Sequence, residues 1–242
     1  MKYSFKSLLI IIVSLALSFG YLLYSGYICL NNPKSEKFPI AGIDISAYQG
    51  NIEWDKVKND GFRFVYIKAT EGKDFTDSMF AVNWENAKTV GIKRGAYHFF
   101  TFGSHGIEQA AHFINVVPNE EDCLPPVIDV EFGGNSSKIP SKELLQKELK
   151  DFIYQIENSY NQKPILYVTH EAYEIYIMGD FEDYTIWIRD VIKFPHIKDN
   201  RNWSIWQYNN RGRVNGINEY VDLNVFNGNE LEFDKLILKN NK

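Results

Sequence analysis

The chain has 242 residues, 45% of them hydrophobic and 15% aromatic, enough to bury one large or two small cores. From Glu36 onward 23 basic residues face 31 acidic ones, which excludes the basic footprint of a nucleic-acid-binding protein. Cys29 and Cys123 are the only cysteines, so a disulfide framework and a thiolate zinc site are excluded as well.

Lys2 and Lys6 precede an uncharged, mostly apolar run from Ser7 to Leu30, 24 residues long and able to cross a bilayer. Residues 1–30 are therefore an export signal peptide or a signal anchor. Ala16-Leu17-Ser18 offers only a weak cleavage site and apolar sequence continues past it, which favours an uncleaved anchor with its N-terminus inside. Either way the body is expected outside the cytoplasm, secreted or tethered to the membrane. Residues 31–37, polar with a single proline, form a linker, and residues 38–242 form one domain.

From Phe38 strand and helix signals alternate. Strands are predicted over Ile40–Ser46, Phe62–Thr70 and Lys93–Thr101, with helices over Trp54–Asp60, Asp77–Val90 and Gly106–Val117 between and after them. The fourth strand is Pro125-Pro126-Val127-Ile128-Asp129-Val130-Glu131-Phe132, entered through prolines and left through Gly133-Gly134. Side chains alternate along a strand, so Val127, Asp129 and Glu131 share one face. Two like charges side by side in a buried strand must be paired, protonated or placed in a solvated cleft. A helix capped by Ser141 runs to about Tyr160, a fifth strand covers Pro164–Thr169, and a short helix covers Glu171–Met178. Three further strands, Thr185–Arg189, Trp203–Tyr208 and Glu219–Phe226, follow with little room for crossover helices. Five βα units and three strands imply a largely parallel sheet, closed as a barrel or open and doubly wound. No glycine-rich phosphate loop follows the first strand, which argues against a nucleotide site.

Reactive groups in such folds collect at the carboxyl ends of strands. Asp44 ends the first strand, Lys68 and Glu71 the second, Tyr97, His98 and Phe99 the third. Asp129 and Glu131 end the fourth, Tyr167, Thr169 and His170 the fifth, Trp187, Arg189 and Asp190 the sixth, Trp206, Gln207 and Tyr208 the seventh. Asp222 and Asn224 lie in the last. Strands one and eight are neighbours in a closed barrel, so acids from strands one, four and eight would converge there.

Six motifs in order carry a specific resemblance: Gly42-Ile-Asp-Ile-Ser46, Lys68-Ala-Thr-Glu-Gly72, Gly95-Ala-Tyr-His-Phe99, Ile128-Asp-Val-Glu131, Trp206-Gln-Tyr208 and Val221-Asp-Leu-Asn224. The region from Ile40 to about Asn227 resembles the glycoside hydrolase family 25 lysozymes, the Chalaropsis-type muramidases. The resemblance implies an α/β fold, a TIM-like flattened (β/α)5(β)3 barrel. It also implies hydrolysis of the β-1,4 bond between N-acetylmuramic acid and N-acetylglucosamine in peptidoglycan. Carried over motif by motif, Glu131 resembles the general acid, Asp129 its partner that stabilises or orients the reacting sugar, and Asp44 and Asp222 the other acids of the cleft. Retention of configuration is implied, through either a carboxylate nucleophile or the substrate's own N-acetyl group. Tyr97, Phe99, Tyr167, Trp187, Trp206 and Tyr208 would supply sugar-stacking faces and hydroxyls.

No cofactor and no metal is expected. His105 and His112 share a helix face without a third ligand. His98 alternates with Tyr97 and Phe99 and should pack outward, and Lys68 and Glu71 suit an ion pair at the rim. The expected partners are peptidoglycan strands and, through residues 1–30, a membrane, with the protein a monomer. Two competitors are an inactive wall-binding barrel, which would lack one of the four acids, and a chitinase, whose Asp-x-x-Asp-x-Asp-x-Glu strand is absent.

Overall fold

The computed structural model describes residues 5–29 and 31–237; the predicted end of the anchor segment at Leu30 and the tail at 238–242 lie outside the described residues. The apolar run forms α1 (Phe5–Tyr24), none of whose residues is buried by the rest of the protein. The barrel strands are β1 (Ala41–Ile45), β2 (Phe64–Glu71), β4 (Lys93–Phe99), β5 (Val127–Val130), β6 (Ile165–Thr169), β7 (Ile186–Arg189), β8 (Ile205–Gly212) and β9 (Val221–Phe226). A two-residue strand β3 (Phe75–Thr76), not foreseen from the sequence, pairs back onto β2. The connecting helices are α2 (Trp54–Asn59), α3 (Phe80–Thr89), α4 (Gly106–Val116), α5 (Lys142–Tyr160) and α6 (His170–Ala172), which continues as one wide turn to Ile177. A terminal α7 (Glu230–Asp234) follows β9.

The strand order β1-β9-β8-β7-β6-β5-β4-β2 closes on itself because β1 also pairs with β2. The open doubly wound sheet is thereby set aside. All neighbours are parallel except those made by β9, which runs antiparallel to both β1 and β8. This mixed pairing follows from the short connections, since antiparallel strands need no crossover helix.

Alternation along each strand separates two cores. Outward residues such as Val65, Ile67, Ile128, Val130, Leu166 and Val168 pack under the helices. Inward residues Phe64, Tyr66, Val127, Ile165, Trp187 and Phe226 fill the lumen. Small inward positions make room for the rings: a Cβ on Gly42 would run into Phe64, and one on Gly95 into Tyr66. The amino end of the lumen is sealed by Phe233 of α7, whose ring lies 5.6 Å from that of Phe64 and 5.3 Å from that of Phe226.

The outer faces of β7 and β8 have no crossover helix to cover them. Aromatic side chains take that place, with Phe38, Phe194, Trp203 and Trp206 in mutual contact at centroid distances from 5.4 Å to 6.4 Å. The segment after α1 lies along this side. The Asn31 amide donates to Asp190 O at 3.0 Å and to Lys193 O at 2.9 Å, and Arg211 stacks on Tyr24 at 4.1 Å.

Candidate active site

The four acids singled out from the sequence come together at the carboxyl end of the barrel. Asp44 and Asp222 are directly opposed across the antiparallel β1–β9 pair, a position that brings side chains within about 5 Å. Asp129 projects into the lumen from β5, in register with Phe99 of β4 and Tyr167 of β6. Glu131 lies just past the end of β5, on the same side. All four border one cavity of about 380 Å³, which also takes in Lys68, Tyr97 and Phe99. A second cavity of about 760 Å³ shares Glu131, Tyr167, Gln207 and Asp222 with the first and extends the cleft over Arg189 and His170.

Two hydrogen-bond relays fix the state of the Asp44–Asp222 pair. Trp187 Nε1 can only donate, and it donates to Asn224 Oδ1 at 2.9 Å; this leaves the Asn224 Nδ2 to donate to Asp44 Oδ2 at 2.7 Å. The Tyr167 hydroxyl donates to Gln207 Oε1 at 2.9 Å, and Gln207 Nε2 donates to the same Asp44 oxygen at 3.2 Å. Burial raises the pKa of Asp44, and these two amide donors oppose the rise by favouring its ionised form. Asp222 is pushed well above the usual carboxylate range by burial and by the charge of Asp44, to which it is hydrogen-bonded. The two amide donors therefore favour ionisation of Asp44 over that of Asp222.

The second pair is less supported by the fold. Asp129 is pushed well above the carboxylate range, first by burial and then by the charges of Glu131 and Asp44. Its Oδ1 is buried without a hydrogen-bond partner. The Glu131 pKa is raised by burial, and the cations Arg189 and Lys68 oppose that rise. The Glu131 backbone is clamped instead of its carboxyl: Asn135 Nδ2 donates to Glu131 O at 3.0 Å and Phe100 O at 2.8 Å, while its Oδ1 accepts from Phe102 N at 2.8 Å. Glu131 is thus held in place with its carboxyl group open to the cleft.

Lys68 and Glu71 form the expected ion pair, at 2.7 Å. A bulge between Lys68 and Thr70 turns the end of β2 so that these two meet on the cleft side. His98 faces outward, where its ring is fully buried between Thr70 Oγ1 at 2.7 Å and Gln109 Oε1 at 3.1 Å. Burial holds its pKa down at about 3, so it stays neutral.

Six aromatic side chains were expected to line the cleft, and four do. Tyr97 and Phe99 form its wall, and the buried rings of Tyr167 and Trp187 form its floor. Trp206 and Tyr208 do not reach it. On β8 the inward residue is Gln207, so its two neighbours point outward; Trp206 Nε1 donates to Asp190 O at 2.8 Å within the aromatic layer that replaces a helix. The expectation gave weight to aromatic character over parity. Alternation on β8 and β9 would have selected Gln207 and Asn224, whereas the Asn135 clamp leaves no periodic signal because it lies in a loop.

A cleft lined by aromatic rings and paired carboxylates, at the carboxyl mouth of a closed barrel, is the arrangement of a glycoside hydrolase. The family profile for glycosyl hydrolases family 25 matches residues 43–217, and the chain belongs to that family. It is 36% identical over 205 residues to the uncharacterized protein YegX of Escherichia coli K12, covering 83% of this chain and 74% of that one. It is 32% identical to lysozyme M1 of Streptomyces globisporus, over 84% of this chain and 72% of that one. Among solved structures, a family 25 glycosyl hydrolase from Bacillus anthracis superposes with a TM-score of 0.82 at 44% identity, covering 86% of this chain and 98% of that one. A bacterial lysozyme from Streptomyces coelicolor gives 0.73 at 32%, over 81% and 96%.

Proposed function

We propose that the protein is a lysozyme that hydrolyses the β-1,4 bond between N-acetylmuramic acid and N-acetylglucosamine in bacterial peptidoglycan, with Glu131 as general acid. The observation that carries this reading is the division of labour among the four acids: one pair is orientated by amide relays, the other is left open to the cleft. A glycosidic oxygen leaves only when protonated, so its acid must keep a proton near neutral pH. Burial raises the Glu131 pKa in that direction. Asp129, with one oxygen lacking a donor, accepts a hydrogen bond from the reacting sugar and orients it. The charge on Asp44 stabilises the positive charge that develops at the anomeric carbon. Tyr97 and Phe99 offer faces to the sugars, and Tyr167 and Trp187 orient the amides beneath.

Lysozymes among the relatives support the assignment of substrate. The protein acts outside the cytoplasm, with residues 1–30 as a membrane anchor, residues 31–37 as a linker and residues 38–242 as the catalytic unit. α1, apolar and without a buried residue, suits that placement. The catalytic unit works as a monomer, since one chain supplies every acid of the cleft.

The test is digestion of purified peptidoglycan followed by borohydride reduction of the new ends. Reduced muramic acid is the expected product. Reduced glucosamine would make the protein a glucosaminidase, and no new ends would leave a wall-binding barrel.

A further inference from the structure

The wall of the second cavity carries a cation that no hydrogen bond or ion pair ties to the described residues. Five of the six arginines are tied to the protein: Arg63 to Glu230, Arg94 to Glu120, Arg201 to the Phe181 and Tyr184 carbonyls, Arg211 to Tyr24 O and Arg213 to Ser25 O. Arg189 is the exception. It ends β7 on the inward side, half-buried, bordering the cavity together with Glu131, Tyr167 and Asp222. Among the described residues no side chain or carbonyl forms a hydrogen bond or ion pair with its guanidinium. The neighbouring acid Asp190 is already committed, to His170 at 2.9 Å through one oxygen and to the backbone N–H groups of Ile192 and Lys193 through the other. Glu171, exposed on the rim of the same cavity, makes no ion pair with it either.

A guanidinium has five donors in a fixed fork that matches a carboxylate, and those of Arg189 border the cavity without a protein partner. The charge of Arg189 lowers the pKa values of Asp44, Glu131 and Asp222, yet it hydrogen-bonds to none of them, so its donors are left for a ligand. Muramic acid differs from glucosamine by a lactyl ether that ends in a carboxyl group. That group is free in a bare glycan strand and, where a stem peptide is attached, is replaced by an amide leading to the peptide's own carboxylates.

We propose that Arg189 is the carboxylate-reading residue of the cleft, binding a carboxylate carried by the muramyl unit beside the bond to be cut. The proposal rests on the muramidase reading given above. The pairing forms on binding and persists through the reaction, so its loss is read in KM.

The experiment compares the wild type with Arg189→Gln and Arg189→Lys on three preparations: strands bearing stem peptides, strands stripped by an amidase so that lactyl carboxylates are free, and stripped strands whose carboxyl groups have been converted to methylamides. Arg189→Gln is expected to raise KM roughly 10- to 100-fold on a carboxylate-bearing preparation, the size of a charge-assisted pair, and to keep the wild-type KM on the neutral one. Arg189→Lys should recover part of the loss. A defect on stem-peptide strands alone assigns the peptide carboxylate, and one on stripped strands assigns the lactyl group. An equal loss on all three, a fall in kcat with KM unchanged, or no loss on any would overturn the proposal. Wild-type protein that releases no muramic acid ends would instead overturn the muramidase reading, a result distinguishable from any ratio between variants.

Discussion

The two ends of the barrel lumen are built from the same strands and differ in what the fold provides for them. At the amino end the rings of Phe64, Phe226 and Phe233 close an apolar floor. At the carboxyl end the inward positions are Asp44, Asp129, Arg189, Gln207 and Asp222, and two of these, Asp129 and Arg189, keep atoms without protein partners. Burying aromatic rings is favourable by itself, whereas burying a carboxylate without donors is costly. The floor thus supplies the stability that lets the mouth keep acids whose pKa values are displaced upward.

Substitutions at the two ends should separate these contributions. Glu131→Gln is expected to lower the rate of glycan hydrolysis by about 10²- to 10⁴-fold with no fall in melting temperature, because the Glu131 carboxyl group holds nothing together. Phe233→Ala should do the reverse. It opens a cavity in the floor and costs about 3–5 kcal/mol by denaturant unfolding, while the folded fraction keeps its specific activity. Asp129→Asn couples the ends: activity falls about a hundredfold, yet stability near neutral pH rises. The sign follows from linkage. Asp129 has its folded-state pKa raised above 3.8, chiefly by burial, so the native state binds more protons across that window and stability declines as pH rises through it. In thermal melts from about pH 4 to about pH 7 the wild type should lose stability and the variant should show a shallower slope. A variant as steep as the wild type would contradict a proton held at this position.

The smallest expected effect is at Trp206, on the outer face. Trp206→Phe removes the bond to Asp190 O and should cost about 1 kcal/mol of stability with no change in KM for glycan. A rise in KM would place this ring in the cleft after all.

Much of this was legible in the chain. The βα rhythm to Thr169 and the shortened spacing after it are visible in the hydrophobic pattern; the strand count allowed a closed or an open sheet, and the family resemblance pointed to the closed one. Asp129 and Glu131 were recognisable because carboxylates interrupt a β-branched run, and Asp44 and Asp222 because they lie in strands that closure makes adjacent. Trp206 and Tyr208 were misplaced because aromatic character says nothing about which face of a strand a side chain takes; parity with Gln207 does. The bulge in β2, which brings Glu71 round to Lys68, shifts the alternation by one residue without any glycine or proline to announce it. Asn135 and the lack of a partner for Arg189 depend on where loops end in space, which periodicity does not encode.

The central claim, that Glu131 is the proton donor, is tested most directly by changing how much proton donation the leaving group needs. Wild type and Glu131→Gln are compared on peptidoglycan, whose leaving oxygen must be protonated, and on a nitrophenyl muramoside, whose leaving group departs as a stable anion. The account predicts a loss of about 10²- to 10⁴-fold on peptidoglycan and little or none on the activated glycoside. Equal losses on the two substrates would contradict it.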